Sequence, residues 1–213
     1  MPVTARKFVP LALVLLAGGC AHAGDITAGG ITAVRTPCPE VIVPAGTGDI
    51  TLFDPATSRD ANAIDVSATM TDVRSTCDAS GEQVVTNVTF QVNAARTRTD
   101  GARDVTLPYY IAVVQGGSVV VAKRTGQVSV HFDAGQARAS TSGRASANVL
   151  RSAATLPDEV RRELTKPRKA GQEDAAVDPL SKPNIKQAVQ RATFQAAVGF
   201  QLTDDQLKYN VTR

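Results

Sequence analysis

Three cysteines and two histidines are the side chains of this protein with the most distinctive chemistry, and their spacing narrows what they can do. Cys38 and Cys77 have no C-x-x-C partner and no histidine close by, so a zinc site, which takes four ligands, is short of donors. Pairing with each other is the simpler reading for an exported chain. Such a bridge closes a loop of about 40 residues, a constraint of about 4 kcal/mol in the chain-entropy model. His22 lies in a small, polar stretch, and His131 falls with Gln127 and Ser129 on the polar parity of a segment whose other parity is Val128, Val130 and Phe132. Neither is placed like a general base oriented by a buried partner. The acid pairs Asp158-Glu159 and Asp204-Asp205 stand at expected helix starts, where the helix dipole accounts for them. No Gly-rich loop follows a strand in the phosphate-binding manner, and Gly116-Gly117 is a hairpin turn by context. Asn87-Val88-Thr89 and Asn210-Val211-Thr212 match a glycosylation sequon, a pattern short enough to arise by chance. The expectation is a protein that is not an enzyme, with no catalytic residues, no metal and no cofactor.

Cys20 is a separate case. It ends the stretch LLAGGC, after an apolar run over residues 8–16 that follows Arg6 and Lys7 and is interrupted by Pro10. A bilayer span takes about 20 apolar residues, so this run is too short to cross. Basic start, short apolar core and small Ala17, Gly18 and Gly19 form a secretory signal. An ordinary cut at Ala21-His22-Ala23 is one outcome. A cysteine directly behind the small residues instead resembles the lipobox of bacterial lipoproteins, which implies removal of residues 1–19 and acylation of Cys20. More than one acyl chain makes such an anchor effectively permanent. Ala21, where Asp would be the inner-membrane retention signal of Gram-negative lipoproteins, implies the outer membrane, with the domain facing the periplasm.

Removing residues 1–19 also takes away Arg6 and Lys7, so Lys+Arg falls from 23 to 21 against Asp+Glu of 20. Basicity is therefore mostly targeting signal, and no basic patch interleaved with aromatics points to nucleic acid. The remaining length suffices for one domain with a real core. Zero Trp and only three Tyr argue against a sugar-stacking face. Residues 20–37, small and polar, cannot bury enough surface to fold alone and read as a flexible tether.

From residue 38 the hydrophobic period is two. Val84, Val88, Phe90 and Val92 take one parity, as do Ile64, Val66, Ala68 and Met70, then Val128, Val130 and Phe132, and finally Phe194, Ala196, Val198, Phe200 and Leu202. Strands arriving every 12 to 20 residues without intervening helices predict an antiparallel β-sandwich over residues 38–213. Residues 152–192 interrupt it. A helix is predicted behind Leu156-Pro157, with Val160 and Leu164 on one face, and another behind an Asn184…Gln187 capping box, with Ile185, Ala188, Val189 and Ala192 at helical spacing. This region reads as a partly helical insertion that could be replaced by a short linker without loss of the core. Thr203-Asp204-Asp205-Gln206 is a second capping box and opens a short C-terminal helix.

CPEV at 38–41, DVRSTC at 72–77, LPYYIAVV at 107–114, VAKR at 121–124 and VGFQLTDDQLKYN at 198–210 together look like a family of uncharacterised bacterial cell-envelope lipoproteins. That resemblance implies an immunoglobulin-like domain and implies no reaction or ligand. Segment 152–192 departs from it. Two functions remain open: a non-catalytic interaction or structural module docking an envelope protein partner, and a small-ligand or cell-wall-binding lipoprotein with the insertion as the rim of a pocket. An unpaired edge strand would favour the first, a concave apolar pocket the second.

Overall fold

The computed structural model describes residues 36–166 and 177–212, together with the backbone of two short paired segments nearer the N-terminus. The chain divides into two compact units, Met1–Ala33 and Val34–Arg213. In the first, β1 (Ile26–Thr27) pairs antiparallel with β2 (Gly30–Ile31), inside the stretch expected to be a tether.

The second unit is a mainly β sandwich. One sheet has the order β4-β5-β6-β9, with β4 at Asp49–Phe53, β5 at Ile64–Asp78, β6 at Gln83–Arg96 and β9 at Arg138–Leu150. The other has the order β3-β10-β7-β8, with β3 at Glu40–Ile42, β10 at Phe194–Phe200, β7 at Arg103–Gln115 and β8 at Val119–Phe132. All pairings within them are antiparallel except β3 with β10. The alternation anticipated from sequence is what faces inward: Val66, Ala68 and Met70, Val84, Val88, Phe90 and Val92, Val128, Val130 and Phe132, and Phe194, Ala196, Val198 and Phe200 all join the buried interior, while Ile64 and Leu202 are half-buried. Gly116 and Gly117, at φ +63° and +83°, make the tight turn joining β7 to β8. Positive φ at both central residues is what a type I′ hairpin needs, and glycine adopts it without steric penalty.

A pair of aromatic rings interlocks the two sheets. Phe90 on β6 stands opposite Gly143 on β9, and Tyr109 on β7 stands opposite Gly126 on β8. Each ring lies over the glycine beside it, so that a Cβ at Gly143 would overlap the Phe90 ring and one at Gly126 would come within 2.5 Å of Tyr109. The rings then meet edge-to-face across the sandwich with centroids 5.2 Å apart. The Tyr109 hydroxyl donates to the Arg144 carbonyl at 2.7 Å.

Among the described residues four α-helices follow or interrupt the strands. Helices α1 (Arg151–Ala154), α2 (Asp158–Thr165) and α3 (Pro183–Ala192) separate β9 from β10, and α4 (Asp204–Thr212) ends the chain. The region expected to be a dispensable insertion is in part structural: Ala154 belongs to the main hydrophobic cluster, and Ile185, Ala188 and Val189 are buried. The Asn184…Gln187 capping box does not form. Helix α3 instead starts at Pro183 behind Lys182, because proline at the first helical position is preset in φ and lacks only a donor that would have had no partner. The second capping box forms on both sides, Thr203 N–H donating to Gln206 Oε1 at 2.9 Å and Gln206 N–H to Thr203 Oγ1 at 3.3 Å.

Phe200 is fully buried and Ile185 is 5 % exposed. Phe200→Ala should lower unfolding free energy by about 3–5 kcal/mol and Ile185→Ala by about 2–5 kcal/mol, whereas Gly143→Ala should cost about 1–3 kcal/mol by overpacking Phe90. Urea midpoints of the three variants check this. An Ile185→Ala midpoint equal to that of the parent would remove α3 from the core.

Candidate functional site

Cys38, just before β3, and Cys77, near the end of β5, form a disulfide with Cα atoms 6.0 Å apart. It ties the short edge strand of one sheet to the far end of a long strand of the other. Cys20 and His22 lie outside the described residues. His131 projects from β8 with its side chain 57 % exposed. Its Nδ1 is 2.8 Å from Asp104 Oδ1 and its Nε2 is 3.4 Å from Asp133 Oδ1. With a carboxylate at each ring nitrogen, the doubly protonated imidazolium is favoured, the Asp104 hydrogen bond and charge being the main cause and Asp133 adding to it.

The other candidates resolve as structure. Asp158 and Glu159, like Asp204 and Asp205, occupy first turns of helices. The Asn210 amide donates to the carbonyls of Gly46 at 2.8 Å and Asp49 at 2.7 Å. Asn210 thus holds α4 to the β3–β4 connection, helped by Tyr209 edge-on to Phe53 at 5.1 Å. Gly199 adds to the same lock. A Cβ there would strike the Thr47 side chain, and the Thr47 carbonyl accepts from the Phe200 N–H at 2.8 Å. Among the described residues no group of three or more His, Cys, Asp or Glu could hold a metal ion.

Arg96 was not singled out from the sequence, although it continues the inward parity of Val92 and Ala94. It is 6 % exposed, and its guanidinium donates to the carbonyls of Gln136, Gly101 and Asp133 at 2.7–2.8 Å while lying 5.1 Å from the centre of the Phe132 ring. These bonds clasp the β6–β7 and β8–β9 connections at one end of the sandwich, replacing the water the buried cation has lost.

Two surface features are left. The first is the edge of β8. This strand is the last of its sheet, paired with β7 on one side and with no strand on the other among the described residues. Val119, Val120 and Val121 are 57 %, 59 % and 50 % exposed. Val114 faces Val120 while Val113 faces Ala122, so Val121 is the extra residue of a β-bulge. Lys123 and Arg124 follow, both exposed, with the Lys123 ammonium 4.8 Å from the centre of the Tyr110 ring. The second feature is an open hollow of about 760 Å³ where the β5–β6 turn meets α1 and α2, lined by Leu150, Leu156 and Pro157 with Glu82, Arg151 and Asp158 around them. Arg151 is already committed in part, donating to the Ser80 carbonyl at 3.2 Å.

No protein-family model matches the chain, and comparisons with curated proteins and with solved structures return no match. No helix among the described residues is long and apolar enough to cross a membrane.

The His131 environment is directly measurable. Its pKa should lie above 6.5, and Asp104→Asn should bring it down. The sign for stability follows: a raised pKa in the folded state gives a contribution that is present below the unfolded value of about 6.5 and is lost as pH rises through the folded one. Exposure keeps that contribution small. An NMR titration of the imidazole reads both variants, and an unchanged midpoint in Asp104→Asn would contradict the assignment.

Proposed function

We propose that the protein is a lipid-anchored module of the bacterial cell envelope, held at the outer membrane through Cys20, which catalyses no reaction and docks another envelope protein through the free edge of β8. The observation that carries this reading is the edge itself, a strand whose outer side pairs with no other strand among the described residues and which begins with three successive exposed valines. Open edges template pairing with another chain unless something prevents it, and strand addition is a common mode of peptide recognition. The anchor is supported by the LLAGGC motif and by the resemblance to envelope lipoproteins carried by segments such as CPEV and VGFQLTDDQLKYN. The Cys38–Cys77 bridge accords with an oxidising compartment. A second reading, a small-ligand or cell-wall-binding lipoprotein, is favoured by the hollow beside α1 and α2, because the expected helical rim does line it.

Photo-crosslinking side chains placed separately at Val120 and at Ser152 in intact cells separate the two. The docking reading expects a discrete protein adduct at Val120 and none at Ser152. Adducts only at Ser152, or at neither position, would contradict it. In the same cells Cys20→Ser should leave the membrane fraction and lose labelling by a fatty-acid probe; a variant that stays bound and labelled would disprove the anchor.

A further inference from the structure

We infer that the occupant of the β8 edge is an extended, acidic polypeptide segment that joins the sheet as an added strand. The inference rests on the reading of β8 as a docking edge and specifies its partner. Three observations carry it. First, the pairing of β8 with β7 is regular from Ala122 to Phe132, past the bulge at Val121, so its outer side offers an ordered row of backbone donors and acceptors. Second, every Lys, Arg, Asp or Glu on β8 and on β9 is cationic: Lys123 and Arg124 on one, Arg138 and Arg144 on the other, all exposed. The two strands are the edges of the two sheets on the same side of the sandwich and pack beside each other, so this flank carries cations and no carboxylate on either strand. Third, Val119 to Val121 give apolar surface at the start of the strand, which charge alone would not require.

These features select among occupants. A second copy would bring Lys123 and Arg124 toward an equally cationic edge and would meet the bulge, two devices by which proteins keep edges apart. An anionic lipid surface would satisfy the cations but could not use the alternating N–H and C=O groups. A chain with carboxylates among apolar or β-branched residues uses all three. Because Lys123 and Arg124 are adjacent in a strand, their side chains leave opposite faces, so carboxylates on both faces of the added strand would be read.

The test uses the lipidated full-length mature chain in zwitterionic micelles, observed by amide NMR. Three ten-residue probes are compared: one alternating Glu with Val and Thr, one with Lys in place of each Glu, and one acidic with proline at alternate positions, which keeps the charge and removes the donors. The acidic probe should move amides of residues 119–127. Proline interruption, and separately the exposed substitution Lys123→Glu combined with Arg124→Glu, should each weaken binding by about tenfold or more, and the Lys probe should not bind. Three results would overturn the inference: an acidic probe that moves none of these amides, a proline probe that binds equally well, or vesicles of anionic phospholipid that move the same amides when the peptide does not. A protein adduct at Val120 in cells beside a silent acidic probe would overturn the acidic-strand inference alone and leave the docking edge standing.

Discussion

The structure depends most on how Phe90 and Tyr109 close the sandwich. Each ring lies over a glycine on the neighbouring strand, Gly143 or Gly126, and the two rings meet edge-to-face at 5.2 Å between the sheets. Glycine leaves the space the ring fills, and the ring covers backbone that glycine leaves bare. This arrangement also sets register. A slip of one residue on β9 would put a Cβ under Phe90 and turn every inward side chain of that strand outward. The hydrogen bond from Tyr109 to the Arg144 carbonyl holds β9 in place from the opposite sheet.

From that closure the treatment of the four sheet edges follows. At one flank β3 is only three residues long and is tied down by the disulfide, while β4 is covered by α4 through Asn210, Tyr209 and Phe53. The other flank holds β8 and β9. There β9 is small and polar outward, whereas the first seven residues of β8 are all exposed, three of them valines. Three edges are thus shortened, covered or made polar, and the fourth is kept open with a bulge and two cations beside it. The bulge and the cations discourage pairing with a like edge, so the functional reading rests on the exposed valines at the start of the strand, which they leave open to a partner of opposite charge.

Much of this was legible in the sequence because it follows from period and turn chemistry. The inward parity of β5, β6, β8 and β10, the Gly116-Gly117 hairpin, the Cys38–Cys77 pair and the Thr203…Gln206 cap all reflect local rules that tertiary context did not override. Strand β9 escaped because its sequence, RASTSGRASANVL, has small residues where a strand usually shows large apolar ones. At Gly143 that smallness answers to Phe90 on another strand, and no local pattern reports it. Arg96 escaped because an arginine reads as a surface residue by type, although its parity placed it inside. The buried face of α3 was visible as helical spacing, but nothing in the spacing said that it would pack into the core. The edge of β8 could not be read at all, since which strand ends a sheet is a property of topology.

Hydrogen exchange of backbone amides tests this picture most directly, because it reports edge and centre in one measurement. Amides of β6, β7 and β10, each paired on both sides, should exchange only through large-scale unfolding, while alternate amides of β8 between Ala122 and Gln127 should exchange quickly, those turned toward β7 being protected and those turned outward not. Uniform protection along β8 would mean that its edge is covered in the isolated chain, and the docking surface would not exist as described.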